Sequence, residues 1–451
     1  MKYPTLKNPV LATVSRLVLS ALLTPLSAQA QLPPPRVSPP PVTHYEYDAE
    51  GNPTKAVVAP DAAGMAFTTA STYDTLNRRV TALDAKNGLV QFGHDGQDRL
   101  TLVIDPRSLS TQYAFNGLGD QTALVSPDTG TTTSSYDAMG HVTKSTDARG
   151  VVATYTYDPL NRPKSVTYTA STSSRTIQWT YDQSGGSFGY GIGRLTTVAS
   201  PEVTTKYGYD AWGHVVTVIQ AIAQGPTLTT SYTYDLAGHI TRITYPSGRV
   251  VNTVHTGGLP SSITSAPTAS GVAAPLLSNI DFNPFAGPRR WDWNMDAGLK
   301  ADDRVFDLSG RMVRYPLGPL VRDLVYDAAD RITSFTHYDT AGKAQSAFNQ
   351  GFTYDVLGRL TSSTGTSATR TYVYDANGNR TTATIGTTVQ TYATDKASNR
   401  VTSVSNPNRT LSYDNAGNIA SDIAAGSGAN YTGTYSLEGR LAQMSQGSSG
   451  V

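Results

Sequence analysis

The chain has 451 residues, a formal net charge of +1, no cysteine and only 15% charged residues. The missing cysteine excludes a disulfide scaffold, thiolate-bound zinc or iron–sulfur centres and a thiol nucleophile, and the near-neutral balance argues against nucleic acid, which needs a basic surplus or a basic face. An apolar fraction of 38% is low for a globular domain, but 40 glycines, 26 tyrosines and abundant threonine describe an ordered, β-rich chain.

Residues 1–30 read as a signal peptide. Lys2, Lys7 and Arg16 form a positive start, Leu17 to Leu26 an apolar stretch too short to span a bilayer, and Ala28-Gln29-Ala30 a small-residue cleavage site. Removing this segment takes away three basic residues and leaves a mature net charge of −2. No stable membrane span is expected after cleavage, and the expected location is secreted, periplasmic or at the cell surface. Residues 31–44 follow as a proline-rich linker, with six prolines between Leu32 and Val42, a composition that favours a semi-rigid polyproline II spacer.

From residue 45 to 451 the chain repeats itself. An aromatic residue and an aspartate are followed by two variable residues, then Gly or Asn, then Arg, His or Asn. The phrase occurs at Tyr47-Asp48 with Gly51, Tyr73-Asp74 with Asn77, Tyr136-Asp137 with Gly140 and Tyr157-Asp158 with Asn161. It returns at Tyr209-Asp210 with Gly213, Tyr234-Asp235 with Gly238, Phe306-Asp307 with Gly310 and Tyr326-Asp327 with Asp330. The last copies are Tyr354-Asp355 with Gly358, Tyr374-Asp375 with Gly378, Thr394-Asp395, Tyr413-Asp414 with Gly417 and Tyr435 with Gly439, and weaker ones begin at His94, Phe115 and Tyr181. Between positions 73 and 157 the copies recur every 21 residues, and elsewhere the spacing varies as loop insertions would make it vary.

The repeat has a physical logic. Alternating aromatics ahead of each aspartate, such as Tyr155/Tyr157 and Tyr372/Tyr374, mark a strand with one covered face. The aspartate can accept bonds from backbone amides ahead of it and start a turn, and Gly or Asn three residues on suits a left-handed backbone. A return strand such as Leu360-Thr361 follows, its broken alternation predicting a bulge. Second turns at Asp105-Pro106, Ser126 to Gly130, Asp147 to Gly150 and Tyr245 to Gly248 close the units. Each unit is therefore a β-hairpin, marginal alone, and about eighteen of them must pair edge to edge into a long twisting sheet.

These residues resemble the YD repeats of the Rhs/teneurin family across essentially all of 45–451. The segment Ile280-Asp281-Phe282-Asn283-Pro284-Phe285 followed by Trp291 is also similar to a variant segment of bacterial members, although Asp296-Ala297-Gly298 departs from the usual Gly-Asn-Gly. The resemblance implies an all-β fold: a spiralling shell of hairpins, a partial or open cocoon, which in family members encloses a C-terminal toxin or faces partners and sugars at the cell surface. The shell-closing segment and effector domain that the resemblance also implies do not occur before Val451, so a fragment or truncated gene is expected.

No catalytic residue, metal ligand or cofactor is assigned. The recurring Asp74, Asp137, Asp158, Asp235 and Asp355 could suggest carboxylate pairs for glycoside hydrolysis, but an aspartate present in every turn reads as structural. His141, His214 and His239 fill the slot held by Arg78, Arg162, Arg311 and Arg359, so turn occupancy explains them, and a His214/His239 pair lacks a third ligand. Asp375 to Asn379 begins like a calcium loop, but Arg380 and Gly386 stand where Gly and Glu are required. The glycine-rich stretch Gly185 to Gly191 lacks the Lys-Ser/Thr of a phosphate loop. Trp179, Trp212, Trp291 and Trp293 read mostly as shell core or cross-strand pairs, with sugar stacking as the alternative. Two functions are then open: a non-enzymatic exported scaffold whose shell encapsulates or displays a polymorphic toxin encoded downstream, or a surface protein that binds carbohydrate through exposed aromatics.

Overall fold

The computed structural model describes residues 32–448 apart from 63, 285–286, 296–297 and 427–428. The signal-peptide reading of 1–30 and the Asp296-Ala297 step lie outside the described residues. The first strand, Thr43–Tyr47, takes up the last two residues of the segment read as linker.

Thirty-seven strands make up the described residues, with two three-residue 3-10 turns at Gly186–Phe188 and Ser346–Phe348. No described helix is long and apolar enough to cross a membrane. Within each of two sheets every strand pairs antiparallel with the next in sequence: a 23-stranded sheet runs from Thr43–Tyr47 to Gly298–Asp303 and a 14-stranded sheet from Val305–Phe306 to Leu441–Ser448. Meandering connection is the topology that tandem hairpins impose, because every strand already has its neighbour in the adjoining unit.

The bulge falls at the same place in unit after unit. Tyr73 faces Arg79 while Thr72 faces Thr81, which leaves Val80 unpaired. In the same way Tyr354 faces Leu360 and Thr353 faces Ser362, leaving Thr361 unpaired. One extra residue on each return strand raises the local twist and bends the ladder, so the bend accumulates along the array.

One face of each strand is covered and the other exposed: in Ser110–Phe115, Thr111, Tyr113 and Phe115 are half-buried while Ser110, Gln112 and Ala114 are exposed. The fully buried apolar residues among the described ones are small, namely alanines, valines and Leu324, and include no aromatic. A solid core of this size would swallow Phe, Tyr and Trp. The sheet is instead a single curved layer.

Curvature brings the second sheet back over the first. Side-chain hydrogen bonds between distant parts of the chain join residues 271–294 apart, and they do so in sequence order: Asp105 to Asn377, Asp128 to Asn399 and Arg400, then Arg149 to Ser436 and Leu437. The array is thus a spiral in which a second winding lies parallel to the first. The proline-rich segment lies in the same seam. Pro33 and Pro39 accept bonds through their carbonyls from Arg314 (2.6 Å) and Arg311 (2.9 Å), and Ser38 Oγ accepts from the Tyr326 amide at 3.0 Å.

Turn geometry depends on a left-handed residue three places after the aspartate. Gly358 holds φ of +75°, where a β-branched side chain is disfavoured. Gly358→Val is expected to lower stability by about 1–2 kcal/mol, read as a lower urea midpoint; an unchanged midpoint would refute this strain.

Candidate functional site

Every residue of the repeat phrase has a defined contact. Asp355 illustrates it: one carboxylate oxygen accepts from the amides of Leu357 (2.9 Å) and Arg359 (3.0 Å), and the other from Arg359 Nε at 2.7 Å. The backbone closes the loop, with the Asp355 amide donating to the Arg359 carbonyl at 2.9 Å and the Gly358 amide to the Asp355 carbonyl at 3.0 Å. The same oxygen-and-amide arrangement recurs at Asp48, Asp74, Asp137, Asp158, Asp210, Asp235, Asp307, Asp375 and Asp414.

The basic slot then reaches forward. Arg359 Nη1 donates to the Asp375 carbonyl of the following turn at 2.8 Å, and its guanidinium lies 4.9 Å from the centre of the Tyr374 ring. The tyrosine reaches backward: Tyr374 Oη donates to the Leu360 carbonyl at 2.8 Å, Tyr354 to Ile332 at 2.7 Å and Tyr413 to Val401 at 2.7 Å. Tyr73, Tyr136, Tyr157, Tyr209 and Tyr234 do the same to the preceding unit. Each turn is thus locked to its neighbours on both sides. Exposed Tyr47 instead lies tilted beside Tyr45 in the first strand, their ring centres 6.4 Å apart.

Left-handed glycines stand at Gly51, Gly140, Gly213, Gly238, Gly310, Gly378 and Gly417. Asn77, Asn161 and Asp330 adopt the same conformation with φ between 61° and 64°. The asparagine slot residues Asn52, Asn379 and Asn418 bond the aspartate oxygen that arginine bonds elsewhere.

Histidines fill the slot as aromatic equivalents of arginine. His141, His214 and His239 each place Nδ1 about 3 Å from the aspartate of their own turn. His141 stacks on Tyr157 and His214 on Tyr234, ring centres 4.6 Å apart in both, and His239 stacks on His255 at 4.8 Å. His214 and His239 therefore each serve their own turn; the residue that joins His239 is His255, which belongs to no repeat phrase.

Cations of the first winding that lie outside the repeat phrase supply what the repeat does not encode. Lys86 Nζ meets Asp355 at 3.0 Å. Arg107 donates to the carbonyls of Asp395 (2.7 Å) and Ser398 (2.8 Å) and to Asn399 Oδ1 (2.9 Å). Arg149 donates to the carbonyls of Ser436 (2.8 Å) and Leu437 (2.9 Å), and Arg175 pairs with Glu438. A row of cations on one rim thus meets carbonyls and carboxylates on the other.

The carboxylates carry the electrostatic signature. The Arg78 side chain and amide hold Asp74 down to about 2. At Asp355 burial raises the pKa, but bonds from the Arg359 amide, Lys86 and the Arg359 side chain outweigh it and bring it to about 2. A carboxylate depressed on folding stabilises the native state above its unfolded pKa near 4, and that stability is lost as pH falls through the folded value. The melting temperature is therefore expected to be flat from about pH 7 to 5 and to drop between about pH 4 and 2. Calorimetry across that range checks it; a flat profile down to pH 2 would contradict the turn pairing.

Of the tryptophans, Trp179 is half-buried and lies across from Val198, Trp291 packs edge-on against Trp293 at 6.2 Å, and Trp212 stands 77% exposed at a turn tip. Beside Trp212 runs a groove of about 520 Å³ lined by His214, Tyr232 and Leu236. The stretch Gly185 to Gly191 is a loop inserted into the turn after Asp182, whose amide bonds the Arg194 carbonyl at 3.1 Å.

Taken together, these contacts define a scaffold of interlocked β-hairpins wound into a shell wall. The RHS repeat model matches residues 115–152, 136–173 and 352–388, so these segments of the chain are similar to RHS repeats. A sequence search of the curated proteins gave no match. Among solved structures, the TcdB2–TccC3 crystal structure aligns with a TM-score of 0.65 at 14% identity over 89% of this chain and 28% of that one. The Photorhabdus luminescens Tc holotoxin pore aligns at 0.66 and 15% identity, over 89% of this chain and 26% of that one. TcdB2–TccC3 without its hypervariable C-terminal region gives 0.64 and 15%, over 90% and 28%. The chain thus spans between a quarter and a third of the chains it resembles in fold.

Proposed function

We propose that this protein is a non-enzymatic, exported scaffold that supplies part of the wall of a toxin-enclosing shell. The observation that carries this reading is the single-layer spiral: two windings stitched rim to rim, with no Phe, Tyr or Trp fully buried among the described residues. Likeness in fold to structures containing TccC3 supports a toxin-associated role. The repeated carboxylates are occupied by their own turns, which argues against general acid–base use of them.

The test is co-expression of the chain, residues 1–451, with the coding sequence adjoining it in its gene, followed by limited proteolysis. An adjoining polypeptide that co-purifies and resists protease only with the shell present supports the proposal; digestion at the same rate with and without the shell overturns it. A reporter fused after Ala30 tests export.

A second reading rests on Trp212, whose exposed ring borders a polar-edged groove suited to stacking on a sugar face. A glycan array read with the native chain and with Trp212→Ala decides it: binding lost in the variant supports carbohydrate recognition, and no binding by either rejects it.

A further inference from the structure

We propose that Asp235, His239 and His255 form a site for a divalent first-row transition cation. One ligand atom from each of the three lies within 4.8 Å of the other two. Asp235 and His239 bracket one turn, while His255 comes from the strand Val250–Thr256 in the following hairpin. A shared ion would therefore tie two consecutive hairpins together.

The three residues differ from the other histidine turns in one respect. At His141 and His214 the stacked neighbour is a tyrosine whose hydroxyl donates to a backbone carbonyl, at 3.0 Å for Tyr157 and 2.8 Å for Tyr234. At His239 that neighbour is an imidazole, and His255 Nδ1 is buried with no hydrogen-bond partner. A buried, unpaired nitrogen is costly, and a cation ligated there would satisfy it. Nothing in ring stacking alone requires a second histidine.

The chemistry selects the ion class. Two imidazoles and one carboxylate suit zinc, copper, nickel or iron, whereas calcium and magnesium demand oxygen ligands. Asp235 Oδ2 and His239 Nδ1 already stand 3.0 Å apart. Ligand–metal distances of about 2.0–2.2 Å let a cation bridge these two atoms, any proton on His239 Nδ1 moving to Nε2, with His255 swinging in as third ligand and water completing the shell.

The test is zinc titration of the native full chain after chelator treatment, followed by calorimetry and thermal unfolding. One saturable equivalent and a raised melting temperature are expected. His255→Phe keeps an aromatic ring in the stack but removes the ligand, and should weaken zinc binding by at least about tenfold while leaving the melting temperature in chelator unchanged. His239→Asn is the second variant, because asparagine fills this slot naturally at Asn52, Asn379 and Asn418; it too should lose zinc. His141→Asn should bind as the native chain does. Absence of a saturable equivalent, or binding within twofold of native in both His255→Phe and His239→Asn, overturns the site.

Discussion

Replacing Arg107 by alanine is expected to destabilise the protein by about 3 kcal/mol and to loosen the second winding from the first. The side chain is only 17% exposed and donates to two carbonyls and one amide oxygen of the opposite rim, with Asp375 beside it at 3.4 Å. Charge-assisted bonds of this kind are worth more than neutral ones, and removing the donor leaves three acceptors facing a gap. Lysine should not restore the contact, because one ammonium cannot span the three acceptors that the guanidinium fork reaches. Urea unfolding monitored by circular dichroism should show the loss, and small-angle scattering should show an enlarged radius of gyration. Native values in both would remove Arg107 from the seam. A double-mutant cycle with Asn399→Ala isolates the pair, and strict additivity would mean that the two do not interact.

The second large effect is expected at Asp323, which is 2% exposed. It lies directly across the ladder from Arg314, and the two form a bidentate pair at 2.5 and 2.7 Å. Asp323→Ala leaves an unpaired buried guanidinium and should cost about 3–5 kcal/mol. The double replacement Arg314→Met with Asp323→Leu should recover most of that, since an apolar pair avoids the desolvation of both charges. The double variant would still lack the Arg314 bond to the Pro33 carbonyl, so residues 32–42 should become protease-sensitive while the urea midpoint stays near native. Equal protease resistance in native and double variant would show that Arg314 does not hold the proline-rich segment.

Much of the fold was legible because the repeat carries its own grammar. Tyrosine, aspartate, a left-handed residue and a basic slot recur in order, so a hairpin array and its bulged return strands follow from local chemistry. Less legible was the direction of each bond. Alternation places Tyr374 on a covered face, but only the structure shows its hydroxyl donating to the preceding unit.

The seam was not legible at all. Lys86, Arg107 and Arg149 sit in second turns of ordinary turn composition, and their partners lie in other units far along the chain. Pairing across that interval depends on how much bend each bulge adds, which no local pattern states. The proline-rich segment shows the same limit: its composition predicts stiffness, whereas its docking depends on Arg311, Arg314 and Tyr326. His255 was not legible because it stands outside the repeat phrase, and its stacking on His239 depends on the following hairpin.

Repeat arrays commonly gain or lose units one at a time, because each unit contacts only its neighbours. Stitching windings together removes that freedom. Adding one hairpin between Arg175 and Asp395 would displace the second winding by a full unit against the rim it meets, so Arg149 would face a different loop and Arg175 would miss Glu438. Copy number within a circuit is therefore inherited as a block: duplication of a whole circuit, or growth beyond the last stitched turn, is neutral to the seam, while a single duplication inside it is not.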